Sequence, residues 1–411
     1  MKERKWYKLD NVGKFYASIA TTRIPSVFRF SAILNDEIDP NILQEALNST
    51  IDIYPNFNVN LKRGLFWYYL DETHKKFVVT QENLPICFRI YNNDDDFLYR
   101  VSYYKNKINL EVSHILSDGR GGIEFFKILI NYYVSLRYSI NNVEITTKNS
   151  SLEKVEDSFS KYYKKMRSES SKNYKFYMYK GKKIRNQTRY MQCHLSTKKL
   201  LEMAHEYKAT ITSLLVSILI YSFKNELSIR DMDKTIKIDI PVDLRTYFKS
   251  TSSKNFFGLT SALYKFENKE DSLEKIIDSV NKQFKKNINA DKLMQRANFM
   301  VSFEKNVFCR FVPIYIKDIV LKVIDDFFYQ KGSSCVSNIG VINFDKKVED
   351  YVNSVSVLTS TNSFQFTICS FKDDLTIGIS SKYKYNNVIK NFCRFFSDNG
   401  LKVSIDVSEV D

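Results

Sequence analysis

Apolar and polar residues alternate along the run from Lys107 to His114. Ile108, Leu110, Val112 and His114 share one parity, and Asn109, Glu111 and Ser113 take the other. A period of two marks a half-buried strand, so His114 is expected as its last inward-pointing residue. Phe97 to Tyr104 shows the pattern of a hairpin partner, turning at Lys105-Asn106. After Gly119 the period becomes helical, with Ile123, Phe126, Leu129, Ile130 and Tyr133 on one face. Pro40 to Ser49 reads as a helix behind the N-cap Asp39, with Leu43 and Ala46 facing in, and Phe66 to Leu70 reads as a strand. Further on, Thr197 to Tyr207 and Thr212 to Asn225 read as helices, the second apolar nearly all round and so buried. Thr235 to Arg245 is a strand that loses a ladder donor at Pro241. Phe364 to Phe371 and Leu375 to Lys382 form a hairpin about Asp373-Asp374, and a last helix from Asn386 to Phe396 stops near Gly400. Strands and helices alternating in two halves imply a mixed α/β (α+β) architecture, and the lack of a repeat of 20–50 residues excludes a solenoid.

Size divides this pattern. A chain of 411 residues fits two domains of about 200 residues each. The expected division is residues 1–155, a basic linker over 156–190, and residues 191–411. The start, Met1 to Trp6, lacks the apolar core of a signal peptide, and the longest apolar run, Ile211 to Phe223, is too short to span a bilayer. Cysteines 87, 193, 309, 335, 369 and 393 are scattered without Cys-x-x-Cys spacing. That argues against a zinc site or a disulfide framework, so no metal is expected and a reducing cytoplasm is. His74, His194 and His205 are isolated and read as structural or surface residues.

Charge changes the picture in one place. The net charge is +15, and the segment from Lys161 to Tyr190 holds eight Lys and three Arg against one Glu, interleaved with six Tyr and Phe176. Such a mixture can grip nucleic acid, lie on an anionic membrane or attract an acidic partner. The plainer reading, adopted here, is a solvated crossover between the halves whose tyrosines pack on a neighbouring surface, with nucleic acid not expected as a partner.

The chemistry concentrates at His114. Asp118 and Gly119 follow it at a spacing of His-x-x-x-Asp-Gly, and Gly121 and Gly122 lie just beyond. A histidine at the core side of a strand end, beside a turn cleared by glycines, is where a proton-transferring imidazole can meet a substrate. The alternative is a core histidine satisfied by a carbonyl, with Asp-Gly as ordinary turn chemistry. Four residues along a turn would point the Asp118 carboxylate away from the ring, which favours a scaffold over a triad member. No Gly-x-Ser-x-Gly elbow is present, so direct transfer without an acyl-enzyme is simpler.

The segment resembles the His-x-x-x-Asp-Gly motif of the superfamily containing chloramphenicol acetyltransferases, condensation domains and alcohol O-acetyltransferases. It is closest in style to bacterial alcohol acetyltransferase-like and polyketide-associated acyltransferases. Many members carry two successive histidines, where this chain has Ser113 and then His114; the plant signature Asp-Phe-Gly-Trp-Gly is absent. The resemblance implies two acetyltransferase-like subdomains with an active-site tunnel at their interface, and His114 as general base. It implies Arg245, from Pro241-Val242-Asp243-Leu244-Arg245 before Asn255-Phe256-Phe257-Gly258, as the salt-bridge partner of a structural Asp118, where the residues alone equally allow a surface arginine at a strand end. It places Ser337-Asn338-Ile339-Gly340 along the channel between the halves, where Ser337 or Asn338 can donate to a developing oxyanion, with a Ser-Asn turn capping a strand as the plainer reading of either residue alone. Gly119 and Gly122 would keep the tunnel wall free of side chains. The implied activity is CoA-dependent acyl transfer to an alcohol or amine, with acyl-CoA as co-substrate and no bound cofactor. A carrier-protein thioester donor, or a catalytically silent binding protein of the same fold, are the alternatives.

Overall fold

The computed structural model describes residues 5–21, 25–91, 95–145, 155–164, 174–185, 187–267, 270–325 and 332–408. Among them, fifteen strands form three sheets. The first has five strands, in the order β12 (Val352–Thr359), β2 (Val27–Leu34), β7 (Lys107–Ser113), β6 (Tyr99–Tyr104) and β5 (Thr80–Gln81). The second has seven: β10 (Phe257–Tyr264), β9 (Ile236–Asp243), β11 (Ser334–Val341), β13 (Phe364–Phe371), β14 (Asp374–Ser381), β8 (Arg189–Ser196) and β15 (Ser404–Val407). A small antiparallel sheet joins β1 (Trp6–Lys8), β4 (Tyr68–Glu72) and β3 (Val59–Arg63). The architecture is mixed α/β, as the alternation of periods predicts.

Most local elements lie where the pattern puts them. The β6–β7 hairpin turns at Lys105-Asn106, with Lys105 in the left-handed region at φ 50°. The Asp39 carboxylate caps a helix that continues to Ile53, beyond the expected Ser49. The strand expected from Phe66 begins two residues later, at Tyr68. Ile211–Phe223 is buried on all sides, and Asn387–Asp398 ends before Gly400 at φ 79°.

β7 departs from its expected half-burial. Ile108, Leu110 and Val112 face the first core, but Asn109, Glu111 and Ser113 on the other face are buried too. Asn109 and Glu111 survive there because each has a partner across the ladder, and the Ser113 hydroxyl accepts locally from the Ile115 N–H. Ser31 donates to Asn109 at 2.7 Å, Arg29 donates to Glu111 at 2.9 Å, and Arg100 also binds Glu111. The backbone N–H of Cys87 completes the Glu111 site at 2.7 Å. A saturated carboxylate can be taken out of water, so polar identity there does not signal solvent. The first residue past the strand is His114, which opens the turn rather than closing the strand.

The expected division by sequence is not the division by sheet. β12 leaves the second half and pairs antiparallel with β2, so residues 352–359 belong to the first sheet. Ile342, Phe344, Val348, Val355 and Val357 enter the first core with it. β12 also packs on β14, where Gly378 is required because a Cβ would stand 1.9 Å from the Val357 carbonyl oxygen. This strand seals the two halves along one seam.

Pro241 marks where the large sheet opens. β9 and β11 run parallel but pair only at Ser334–Ile238 and Cys335–Asp239. Continued register would set Ser337 opposite Pro241, which has no N–H to donate, and the strands part there. Of the basic crossover, residues 165–173 and 186 lie outside the described residues. The described part is a strap on the second half: Phe176 bridges to Thr235 and Lys183 to Tyr383. Tyr177 is buried, Lys180 pairs with Asp231 at 2.8 Å, and Lys183 donates to the Asn362 carbonyl.

Candidate active site

The turn after β7 is tied down at every backbone group near His114. The His114 N–H donates to the Ser26 carbonyl at 2.9 Å, and its own carbonyl accepts from Asn255 Nδ2 at 2.9 Å. Asn255 also donates twice to the buried Asp10, whose other oxygen caps the helix Asn11–Ile19 through Gly13. That helix presents Tyr16, which stacks on the His114 ring at 4.8 Å, while Phe28 of β2 approaches at 4.7 Å.

The imidazole itself is held differently. Its ring stays partly exposed, but Nδ1 is sealed from solvent and has no hydrogen-bond partner. Burial pushes the imidazole down from 6.5 to about 4, against the opposing pull of the Asp118 charge and of nearby polar groups on Asn255 and Ser117. His114 is therefore a neutral base at ordinary pH.

Asp118 shows the opposite treatment. Its carboxylate caps the helix Gly119–Arg137 through the N–H of Gly121 at 2.9 Å and accepts the N–H of Phe256 at 2.7 Å. Arg245 grips both oxygens, at 2.9 and 3.2 Å. The guanidinium spends its remaining donors on Asp243 and on the carbonyls of Ser252 and Lys254. Both side chains are buried, 5% exposed for Asp118 and 10% for Arg245. With four donors on two oxygens, Asp118 has nothing left to orient an imidazole. The bond instead ties the His114 turn to the loop after β9, across the two halves.

The glycines divide into distinct roles. A Cβ on Gly119 would meet only the tip of Ile339, at 2.9 Å, so the β11 bulge touches the start of the motif helix. Gly121 has no such latitude, since a Cβ there would fall 2.1 Å from the Ser253 carbonyl oxygen. Gly122 packs against Phe28 and Phe30, which lie 2.7 and 3.0 Å from a Cβ built on it. Asn338 is exposed and already committed, donating to Thr212 at 2.8 Å and accepting from the Gly340 N–H at 2.9 Å. Ser337 is half-buried on the strand that leaves β9, and among the described residues no hydrogen bond engages its hydroxyl.

Asp10, Tyr16 and Asn255 were not assigned site roles from the sequence. Asp10 is readable only as a helix cap, and Tyr16 reaches the ring through a fold contact that no local period encodes. The other histidines sit apart: His194 lies between Asp374 and Asp406 at the sheet edge, and His74 lines a surface cavity of about 420 Å³ with Lys62, Asp71 and Asp95.

No protein-family model matches this sequence, and no curated protein matches it. Solved structures do, over nearly the whole chain. Fusarium sporotrichioides TRI101, complexed with coenzyme A and T-2, aligns with a TM-score of 0.65 at 11% identity, covering 97% of this chain and 99% of that one. The first condensation domain of the calcium-dependent antibiotic synthetase, in complex with a substrate analogue, aligns at 0.65 and 12%, covering 96% of each chain. TRI3 trichothecene 15-O-acetyltransferase from Fusarium sporotrichioides aligns at 0.61 and 10%, covering 95% of this chain and 96% of the other. The chain thus shares its fold with these acetyltransferases and this condensation domain. At these identities the likeness is one of fold, and the chemistry has to be argued from the site.

Proposed function

We propose that this protein is an acyltransferase that moves an acyl group from a coenzyme A thioester to an alcohol or amine, with His114 as general base and no acyl-enzyme. The observation that carries the reading is the His114 ring: neutral, partly open, stacked on Tyr16 and fixed through its backbone by both halves. Positioned base catalysis by an imidazole contributes roughly 10²–10⁴ in rate, and orienting two bound substrates supplies much of the rest. The tautomer with its proton on Nδ1, turned toward Asn255, leaves Nε2 to take the proton of the acceptor hydroxyl or amine. The acceptor oxygen or nitrogen then bonds to the thioester carbonyl carbon. As the carbon–sulfur bond breaks, the imidazolium returns its proton to the departing thiolate. The Ser337 hydroxyl is the candidate donor to the intermediate oxyanion, because no hydrogen bond among the described residues engages it, whereas the Asn338 side chain is already held by Thr212 and Gly340. Asp118 and Arg245 serve as the clamp that keeps the turn in place.

The test is mass spectrometry of products after incubating the protein with mixed acyl-CoA donors and a panel of alcohols and amines. Acylated acceptor and free CoA support the reading. Turnover only when the same acyl group is presented on a phosphopantetheinyl carrier would replace CoA as donor, and no acylated product with either donor would overturn acyl transfer.

A further inference from the structure

The helix Ile314–Ile324 is turned inside out. Its outward side chains are Tyr315, Ile316, Ile319, Val320 and Val323, exposed at 63, 52, 64, 50 and 50%. At about 100° per residue these five fall within an arc of roughly 140°, one continuous stripe. The inward side carries the polar anchors: Asp318 pairs with Arg63 at 2.9 Å and accepts from the Tyr68 hydroxyl at 2.8 Å, and Lys317 lies over the Trp67 ring. The Ile314 N–H donates to the Leu65 carbonyl, so the β3–β4 turn lies alongside, presenting Leu65 at 70% exposure. Phe311, 69% exposed, packs edge-on to Phe66 and extends the patch. A solvated helix has the reverse arrangement, and an apolar ridge of this extent calls for an apolar cover.

We infer that this ridge seats the protein on an anionic lipid bilayer, the helix lying flat in the interface. Two observations choose that occupant. Around the ridge Lys305, Arg310 and Lys322 are exposed against a half-buried Asp325, while Lys317 turns inward onto Trp67 and Asp318 is neutralised by Arg63. The rim is therefore basic, on a chain of net charge +15, which complements acidic headgroups and opposes docking of a second copy. Side chains this exposed stand proud of the surface, as insertion among acyl chains requires, rather than lining a groove for a partner helix. Eleven residues cannot cross the hydrocarbon core, and among the described residues no helix is long and apolar enough to do so. The inference does not depend on the acyl-transfer reading.

Co-sedimentation of the full chain with phosphatidylcholine vesicles, with and without phosphatidylglycerol, tests it. Binding is expected on the anionic vesicles and should weaken with salt. The double variant Ile319→Gln/Val323→Gln, with an unchanged thermal melt, should bind at least tenfold more weakly. Lys305→Gln/Lys322→Gln should erase most of the preference for anionic lipid. Equal binding by the Ile319/Val323 variant, or no vesicle binding by the native chain, overturns the inference. So would an analytical-ultracentrifugation dimer that the same variant dissociates, which would give the ridge to a second copy.

Discussion

Four residues apart, the motif treats two polar side chains in opposite ways. The Asp118 carboxylate accepts from Gly121, Phe256 and both ends of the Arg245 guanidinium. The His114 Nδ1 is as well sealed from water and has no partner. The first group is finished; its bonding capacity is used on the fold. The second is left costly, with burial holding the ring neutral. An unmatched buried polar atom costs about 1–3 kcal/mol, so the two side chains contribute to the fold in opposite senses. On the proposed function, the contrast divides scaffold from chemistry within one turn of chain.

The largest effect expected on the scaffold side comes from Asp118→Asn. It leaves the Arg245 charge buried and partly unmatched, and breaking such a pair costs about 3–5 kcal/mol. Thermal or denaturant unfolding should register that loss together with a loss of activity, and an unchanged midpoint would remove the clamp from the account. Next comes the pair of glycine variants. Gly121→Ala forces a methyl against the Ser253 carbonyl, whereas Gly119→Ala meets only the mobile tip of Ile339. Overpacking of this kind costs about 1–3 kcal/mol, so Gly121→Ala should melt distinctly lower than Gly119→Ala. Equal melting would show that the turn is looser than its contacts imply.

A smaller effect sharpens the imidazole side. Because burial lowers the His114 pKa to about 4, the ring stays a competent base well below the ordinary value of 6.5. The acid limb of kcat/KM should accordingly lie nearer pH 4 than 6.5. The same shift makes the fold lose stability as the pH falls from 6.5 toward about 4, since the unfolded chain takes up the proton first. An acid limb at 6.5 or above would mean that the ring is more solvated than its surroundings indicate.

The sequence exposes the motif because its elements are local. Ile108 to His114, the Lys105-Asn106 turn and the helix after Gly119 each follow from a period or a turn signal over a few residues. Arg245 could be reached only through resemblance, because the bond to Asp118 spans 127 positions and no period reports it. The path from Asp10 through Asn255 to the His114 carbonyl is hidden for the same reason, as is the return of β12 to the first sheet. The misjudged face of β7 has a different cause. Glu111 reads as solvent-facing because a carboxylate usually is, and only the ladder shows Arg29 and Arg100 waiting for it. The packing of Phe28 on Gly122 is equally silent in the sequence, because clearing a tunnel and accommodating a ring demand the same missing side chain.

The central claim is that His114 carries the proton while Asp118 carries the fold, and His114→Ala tests it most directly. The variant loses the ring that packs on Tyr16 and Phe28 but no hydrogen bond through Nδ1, so it should stay folded at a cost of about 0.5–3 kcal/mol. Its rate with the same acyl thioester and acceptor should fall by roughly 10²–10⁴. A folded His114→Ala protein that transfers the acyl group within a fewfold of the native rate would contradict the account.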